Sequence, residues 1–180
     1  MLELYKYTDK EQKQLLDSIV ILADTREHDG KNSHILKYFD DNNIKWSKKK
    51  LPYADYSFMI PANDDLNIPR DLDFSSKVVI ERKANLEELS GNLTSNSERS
   101  RIKKEFALAP DNKIVIIENA SYANMVDGRY NTNYDKKSFW ASYHSIWHEF
   151  NIPIIFMPNP AYTPVFIYGY FYYYMRNLLK

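Results

Sequence analysis

Apolar positions along the chain fall into short continuous runs, separated by stretches in which they recur at helical spacing. SIVILAD (18–24), KVVIERK (77–83), KIVIIE (113–118) and IPIIFM (152–157) are β-branched and bounded by turn or charged residues, which predicts buried strands. KNSHILKYFDDN (31–42) places Ile35, Leu36 and Phe39 on one helical face. NLEELSGNL (85–93), SERSRIKKEFALA (97–109), KKSFWASYHSIWHEF (136–150) and residues 161–178 also read as helices, with Gly91 expected at the break between the first two. IKWSKKKL (44–51) and DYSFMI (55–60) read as two strands of a hairpin around Pro52. KEQKQLLD (10–17) reads as a short polar N-terminal helix or arm, and the proline- and aspartate-rich segment 61–75 as an inserted loop or flap. Strands alternating with helices predict an α/β fold, a mixed central sheet flanked by helices on both faces, formed by residues 1–180 as one domain.

Composition narrows the chemistry. Hydrophobic residues make up 44% of the 180, enough to fill a core, and no apolar run approaches the ~20 residues that span a bilayer. With no leader-like start, the expectation is a cytoplasmic protein, not secreted and not attached to a membrane. There is no cysteine, so a bound metal would be held by carboxylate, imidazole or backbone oxygen, the donors of hard cations. The 24 basic and 24 acidic residues cancel, so a nucleic-acid partner requires charge segregated to one surface.

The strand KVVIERK ends in three charges. Side chains alternate along a strand, so Glu81 and Lys83 share a face and Arg82 looks the other way. Asp24 closes the first strand, in ADTRE, and Asp55 opens another, in PYADY. Acids gathered at strand ends repel one another, and a divalent cation relieves that repulsion. Asp55 and Glu81, with a backbone carbonyl and waters, make an oxygen shell suited to Mg2+ or Mn2+, and Lys83 is placed to orient or deprotonate an attacking water. That chemistry is phosphodiester hydrolysis.

ADTRE, LPYADY and VVIERKANLEEL, in this order and at this spacing, resemble the XPF-type structure-specific endonucleases of the PD-(D/E)xK superfamily, over roughly residues 19–157. The resemblance implies a restriction-endonuclease-like fold. It also implies a Mg2+-dependent endonuclease, with Mn2+ substituting, that acts on branched, flapped or forked DNA; the richness in Lys, Asn, Tyr and Ile points to an AT-rich genome, and so to phage or bacterial recombination or repair. In that pattern Asp55 and Glu81 are metal ligands with Asp24 and Glu27 as acidic partners, and Lys83 lies beside the scissile phosphate. Arg82 is an arginine needed for activity, and Arg26 holds the acidic cluster or the DNA backbone. SNSERSRIKKEF resembles a helix that lies along DNA, offering Arg99, Arg101, Lys103 and Lys104 to phosphates. The resemblance further implies a homodimer; an accessory recombination protein is a separate expectation.

Two positions depart from the family pattern. Ala54 stands where glycine is usual, which asks the backbone there to avoid positive φ, and Glu87 stands where aspartate is usual. The resemblance also implies a tandem helix-hairpin-helix module, and the 23 residues after Met157 carry none of its glycine hairpins, so junction recognition is expected from elsewhere.

Other features weigh less. His144 and His148 sit one helical turn apart, but the further ligands of a zinc hydrolase are missing, so they read as a surface pair. VFIYGYFYYYMRNLL is aromatic all round and too short to span a membrane, which reads either as core packing or, since one domain face covers only one side, as a homodimer interface. Lys48, Lys49 and Lys50 serve equally to touch phosphates or to solubilise a strand edge. Alternatives to the leading reading are a Holliday-junction resolvase or restriction-type nuclease on the same fold, and a catalytically inert DNA-binding scaffold. Retention of Asp24, Asp55, Glu81 and Lys83 argues against the scaffold.

Overall fold

The computed structural model describes residues 6–27 and 30–180. The first strand, β1 (Val20–Asp24), is buried at every position, a burial that demands neighbours on both edges and cover on both faces. It has them: β2 (Trp46–Lys49) pairs with it in parallel on one side, and β3 (Tyr56–Ile60) pairs antiparallel on the other. The sheet continues through β5 (Val78–Lys83), β6 (Asn112–Glu118) and β7 (Ile154–Met157) in the order β2-β1-β3-β5-β6-β7, while the short β4 (Leu72–Asp73) adds to β3. β5, β6 and β7 are mutually parallel, and β3 runs against both β1 and β5, so the sheet is mixed.

Alternation along each strand divides the interior in two. On one face Ile21, Ala23, Tyr56, Phe58, Ile60, Val78, Ile80, Ile114 and Ile116 meet helices α1 (Asp9–Asp17), α2 (Ser33–Asp41) and α7 (Thr163–Leu178). On the other, Val115, Ile117 and Ile154 meet α3 (Leu86–Thr94), α4 (Asn96–Leu108), α5 (Tyr122–Asp127) and α6 (Lys136–Phe150). Among the described residues no helix is long and apolar enough to cross a membrane.

Three local expectations need correction. The hairpin around Pro52 does not form, because β1 lies between the two strands expected to pair. The parallel β1-α2-β2 crossover places β2 on one edge of β1 and leaves the other edge for β3. The break between α3 and α4 falls at Ser95 and not at Gly91, which lies within α3; the Ser95 hydroxyl accepts the Glu98 N–H at 3.2 Å and caps α4. Residues 61–75 are tied down and not a free flap. Leu66, Ile68 and Phe74 are buried, the Leu66 carbonyl accepts the Tyr7 hydroxyl, and β4 extends the sheet.

The aromatic C-terminal helix serves first as core. In α7, Ile167, Phe171 and Met175 are fully buried, four residues apart on one face. Phe58 stacks on Phe74 with centroids 4.4 Å apart, and Tyr174 presents its edge to both rings. On the outer side Tyr173 remains 56% exposed. Phe171→Ala should lower unfolding free energy by about 3–5 kcal/mol, the usual loss for a buried phenylalanine. Urea denaturation measures it, and a loss below about 1 kcal/mol would show that α7 is not docked on the sheet.

Candidate active site

The carboxyl ends of β1, β5 and β6 meet the amino end of β3 at one edge of the sheet, and the chain places its acids there. Ala23 and Tyr56 belong to the first core, so Asp24 and Asp55 project from the opposite face, as do Glu81 and Lys83 beyond Ile80. Backbone bonds fix the junction. The Asp24 N–H donates to the Asp55 carbonyl at 2.8 Å, and the Asp55 N–H donates to the Ile80 carbonyl at 3.1 Å. To enter this double pairing the chain turns sharply at Ala54, which has φ 57°. The expectation that Ala54 avoids positive φ is therefore wrong. The turn is demanded by the pairing on both sides of Asp55, and alanine bears a strain of about 1–2 kcal/mol that glycine would not.

The result is a cleft of about 260 Å3. Asp24, Glu27, Asp55, Glu81 and, from α4, Glu105 line it, against the cations Arg26 and Lys113. Glu105 was not picked out from the sequence; on a polar helix face nothing local marks it.

Each acid has a different environment. Asp24 is 3% exposed and is held by Arg26, whose Nε donates to both carboxylate oxygens at 2.9 and 3.1 Å while Nη2 reaches Asp24 and the Leu51 carbonyl. This hydrogen bond raises the proton affinity of Arg26, whose side chain is otherwise 58% exposed. Asp55 accepts the Arg82 N–H on Oδ2 at 2.7 Å. Burial, and then the charge of Glu81, push the Asp55 carboxyl well above the usual aspartate range. Lys83 donates to Glu81 at 2.7 Å. Burial disfavours the ammonium, but Glu81, Asp55 and Glu88 outweigh it and the Lys83 proton affinity rises. In this arrangement the charged form of Lys83 is favoured, with its ammonium held against Glu81.

Glu27 and Arg82 stand apart. The Glu27 carboxylate accepts Arg82 Nη1 at 2.9 Å, and Arg82 lies on the far face of β5, away from Glu81 and Lys83. Burial raises the Glu27 proton affinity despite that partner. Among the described residues no three acidic or histidine side chains converge tightly enough to hold an ion. Of the four acids expected around a metal, Asp24 is committed to Arg26 and Glu27 to Arg82. Asp55 and Glu81 remain, Glu81 in contact with Lys83 and Asp55 without an ion-pair partner of its own among the described residues, and their donor chemistry fits a hard divalent cation completed by backbone carbonyl and water.

The four α4 cations are not equivalent. Arg99 donates to the Leu93 carbonyl and so closes the end of α3. Arg101 bridges Glu98 and Glu105, Lys103 pairs with Glu149 of α6, and Lys104 is exposed. Glu87 accepts the Asn131 N–H at 2.8 Å, which ties the loop before α6 to α3. His144 sits against Tyr122 and Trp140 on the outer face of α6. Glu118 was missed as well; it is 1% exposed and bound to Arg82 and His34. It closes the apolar run KIVIIE, the same strand-end pattern that singled out Asp24.

A mixed sheet with acids at converging strand ends, beside a lysine on the central strand, defines the restriction-endonuclease-like class. Within it the chain belongs to the ERCC4 domain family, whose sequence pattern matches residues 23–170. Two solved structures share the fold. XPF from Aeropyrum pernix is 16% identical, with a TM-score of 0.55, covering 84% of this chain and 59% of that one. The same protein in complex with DNA gives 16% identity and a TM-score of 0.62, covering 88% of this chain. This chain spans 66% of that second structure's length. No curated protein sequence matches.

Ionisation of Asp55 has a measurable cost. Because its folded proton affinity is raised, the folded state loses stability as pH climbs from the unfolded value near 4 to the higher folded one, and nothing is lost below that window. In EDTA, Asp55→Asn should therefore be more stable than the unmodified protein at neutral pH, with the gain vanishing near pH 4. Thermal unfolding across pH tests this; parallel pH profiles for the two proteins would reject it.

Proposed function

We propose that this chain is a divalent-metal-dependent DNA endonuclease that cuts branched, flapped or forked DNA. The observation that carries the reading is the buried Asp55 carboxylate beside Glu81, with Lys83 held as an ammonium at 2.7 Å from Glu81. Membership of the ERCC4 domain family and the likeness to a protein solved with DNA support it. Asp55 and Glu81 hold Mg2+, with Mn2+ as substitute. What a cation held there supplies is neutralisation of the charge that builds on the scissile phosphate.

The chain's own groups do the rest. Asp24 keeps Arg26 at the cleft mouth, where its guanidinium meets the DNA backbone. Lys83, held as an ammonium against Glu81, orients the phosphate and the attacking water. Lys104 and Arg101 contact neighbouring phosphates, while Arg99 and Lys103 hold α4 in place. The setting is a cytoplasmic one, in phage or bacterial recombination or repair, with an accessory recombination protein as partner.

Asp55→Asn and Glu81→Gln should each lower cleavage by at least about 10²–10³-fold with the fold intact, and EDTA should abolish it. The assay uses labelled flap, fork, four-way junction and linear duplex, with and without Mg2+. Unmodified rates in either variant would remove the assignment. Cutting of linear duplex at one sequence would point instead to a restriction-type enzyme, and paired cuts across a four-way junction to a resolvase.

The protein acts as a homodimer through the outer face of α7. Phe166, Gly169, Tyr170 and Tyr173 border an apolar groove there, and a twofold axis would use the same patch on both copies. Tyr173→Glu is the clean probe, since Tyr174 packs on Phe58 and Phe74 and its loss would damage the core. Light scattering should give a dimer for the unmodified protein and a monomer for the variant. A monomer in both cases rejects this interface.

A further inference from the structure

On the far side of the sheet from the cleft lies a buried ionic assembly that the proposed reaction does not use directly. The Arg82 side chain is 4% exposed and that of Glu118 is 1% exposed. Arg82 Nε donates to Glu118 Oε2 at 2.9 Å, Nη2 approaches the same oxygen at 2.7 Å, Nη1 donates to Glu27 at 2.9 Å, and Nη2 also reaches the Lys31 carbonyl at 2.8 Å. His34 Nε2 lies 2.8 Å from the other oxygen of Glu118. Glu118 thus joins β6, β5 and α2, and through Arg82 it reaches the segment after β1.

We infer that Glu118 is a positioning residue for the cleft: by clamping Arg82 from behind the sheet, it fixes where Asp55, Glu81 and Lys83 stand in front of it. The reasoning is geometric. The backbone N–H of Arg82 donates to Asp55 Oδ2 at 2.7 Å, so the proposed metal ligand is held by the very residue whose guanidinium is clamped. Glu81 and Lys83 are its neighbours in sequence and project from the opposite face. A strand residue pinned on one face cannot shift or rotate without moving both neighbours on the other. Arg82 on this view acts through the backbone and its neighbours, not on the phosphate, because three acceptors, Glu118, Glu27 and the Lys31 carbonyl, occupy its guanidinium on the face of β5 away from Glu81 and Lys83.

The inference rests on the nuclease reading above, and its test keeps the two separable. Glu118→Gln keeps the shape and one acceptor oxygen but removes the charge. Glu118→Asp keeps the charge but withdraws it by one methylene, and serves if the glutamine variant does not fold. Arg82→Lys keeps a cation without the guanidinium fork. For each, Mn2+ affinity by calorimetry, affinity for flap DNA without metal, and single-turnover cleavage are measured beside Glu81→Gln as the control. The expected result for the Glu118 variant and for Arg82→Lys is a loss of about 10–100-fold in Mn2+ affinity and in cleavage rate, with DNA affinity unchanged within about twofold.

A folded Glu118 variant with unmodified Mn2+ affinity and cleavage would reduce the clamp to a stability element and overturn the inference. An Arg82→Lys variant that weakens DNA binding and lowers its salt slope by about one would overturn it in another way, by placing Arg82 on a phosphate. If the unmodified protein neither binds Mn2+ nor cuts any DNA, both readings fall together, an outcome distinct from the failure of the clamp alone.

Discussion

A buried arginine held between two glutamates is the interaction on which the rest of this structure depends. One cation and two carboxylates in an apolar interior are costly to desolvate, and they are tolerated only where geometry supplies every partner. Here the Arg82 guanidinium makes three hydrogen bonds, to Glu118, Glu27 and the Lys31 carbonyl, and a second close ion-pair contact with Glu118. Burial alone would raise the proton affinity of Glu118, yet its hydrogen bonds to Arg82 and His34 help bring it below the usual carboxylate value. The opposite balance holds 27 residues upstream of Arg82, where Asp55 lacks a cation of its own and its carboxyl is pushed up. The two faces of the sheet at this point therefore differ: Arg82 and its glutamates are fully paired on one, and Asp55 on the other has no ion-pair partner among the described residues. Satisfied charge makes a rigid support, and unsatisfied charge makes a site with affinity for a cation.

The same contrast explains why the cleft is acidic although its proposed ligand is a polyanion. Five carboxylates face it and two cations answer them. Phosphate cannot approach such a surface unless positive charge is brought to the middle of it, so metal and DNA are linked energetically. The cations at the rim are mostly engaged with the protein. Arg26 grips Asp24, Arg101 bridges two glutamates of its own helix, and Lys103 crosses to α6. Ion pairs as exposed as those of Arg101 are worth little and exchange readily, so Arg101 remains available to a phosphate. Arg99, bonded to the carbonyl that ends α3, does not.

The strain at Ala54 belongs to this economy of charge. A left-handed residue lets Asp55 pair with β1 through its carbonyl and with β5 through its N–H, and still present its side chain to the Arg82 N–H. Without that turn, the aspartate would lie on the ladder of one strand only. The local sequence gives no hint of it, because alanine disfavours the conformation and only the two flanking strands enforce it.

Much of the protein was determined by the sequence itself. Continuous β-branched runs and 3.6-residue spacing are local properties, so β1, β5, β6, β7 and α6 were legible within two residues, as was the alternation that separates Arg82 from Glu81 and Lys83. The acids at strand ends were legible for the same reason, as polar residues closing apolar runs. Tertiary structure alone decided the rest. Whether β2 pairs with β3 or with β1 depends on competition between distant edges, which no window of residues contains. The break between α3 and α4 came at Ser95, four residues beyond the glycine at which local propensity placed it. The partners of Arg82 are 36 residues downstream and 55 upstream, so Glu118 and Glu27 acquire their meaning only when β6 and the end of β1 are brought to one place. Propensity and periodicity act between neighbours in sequence, whereas a charge buried in a core is satisfied by neighbours in space.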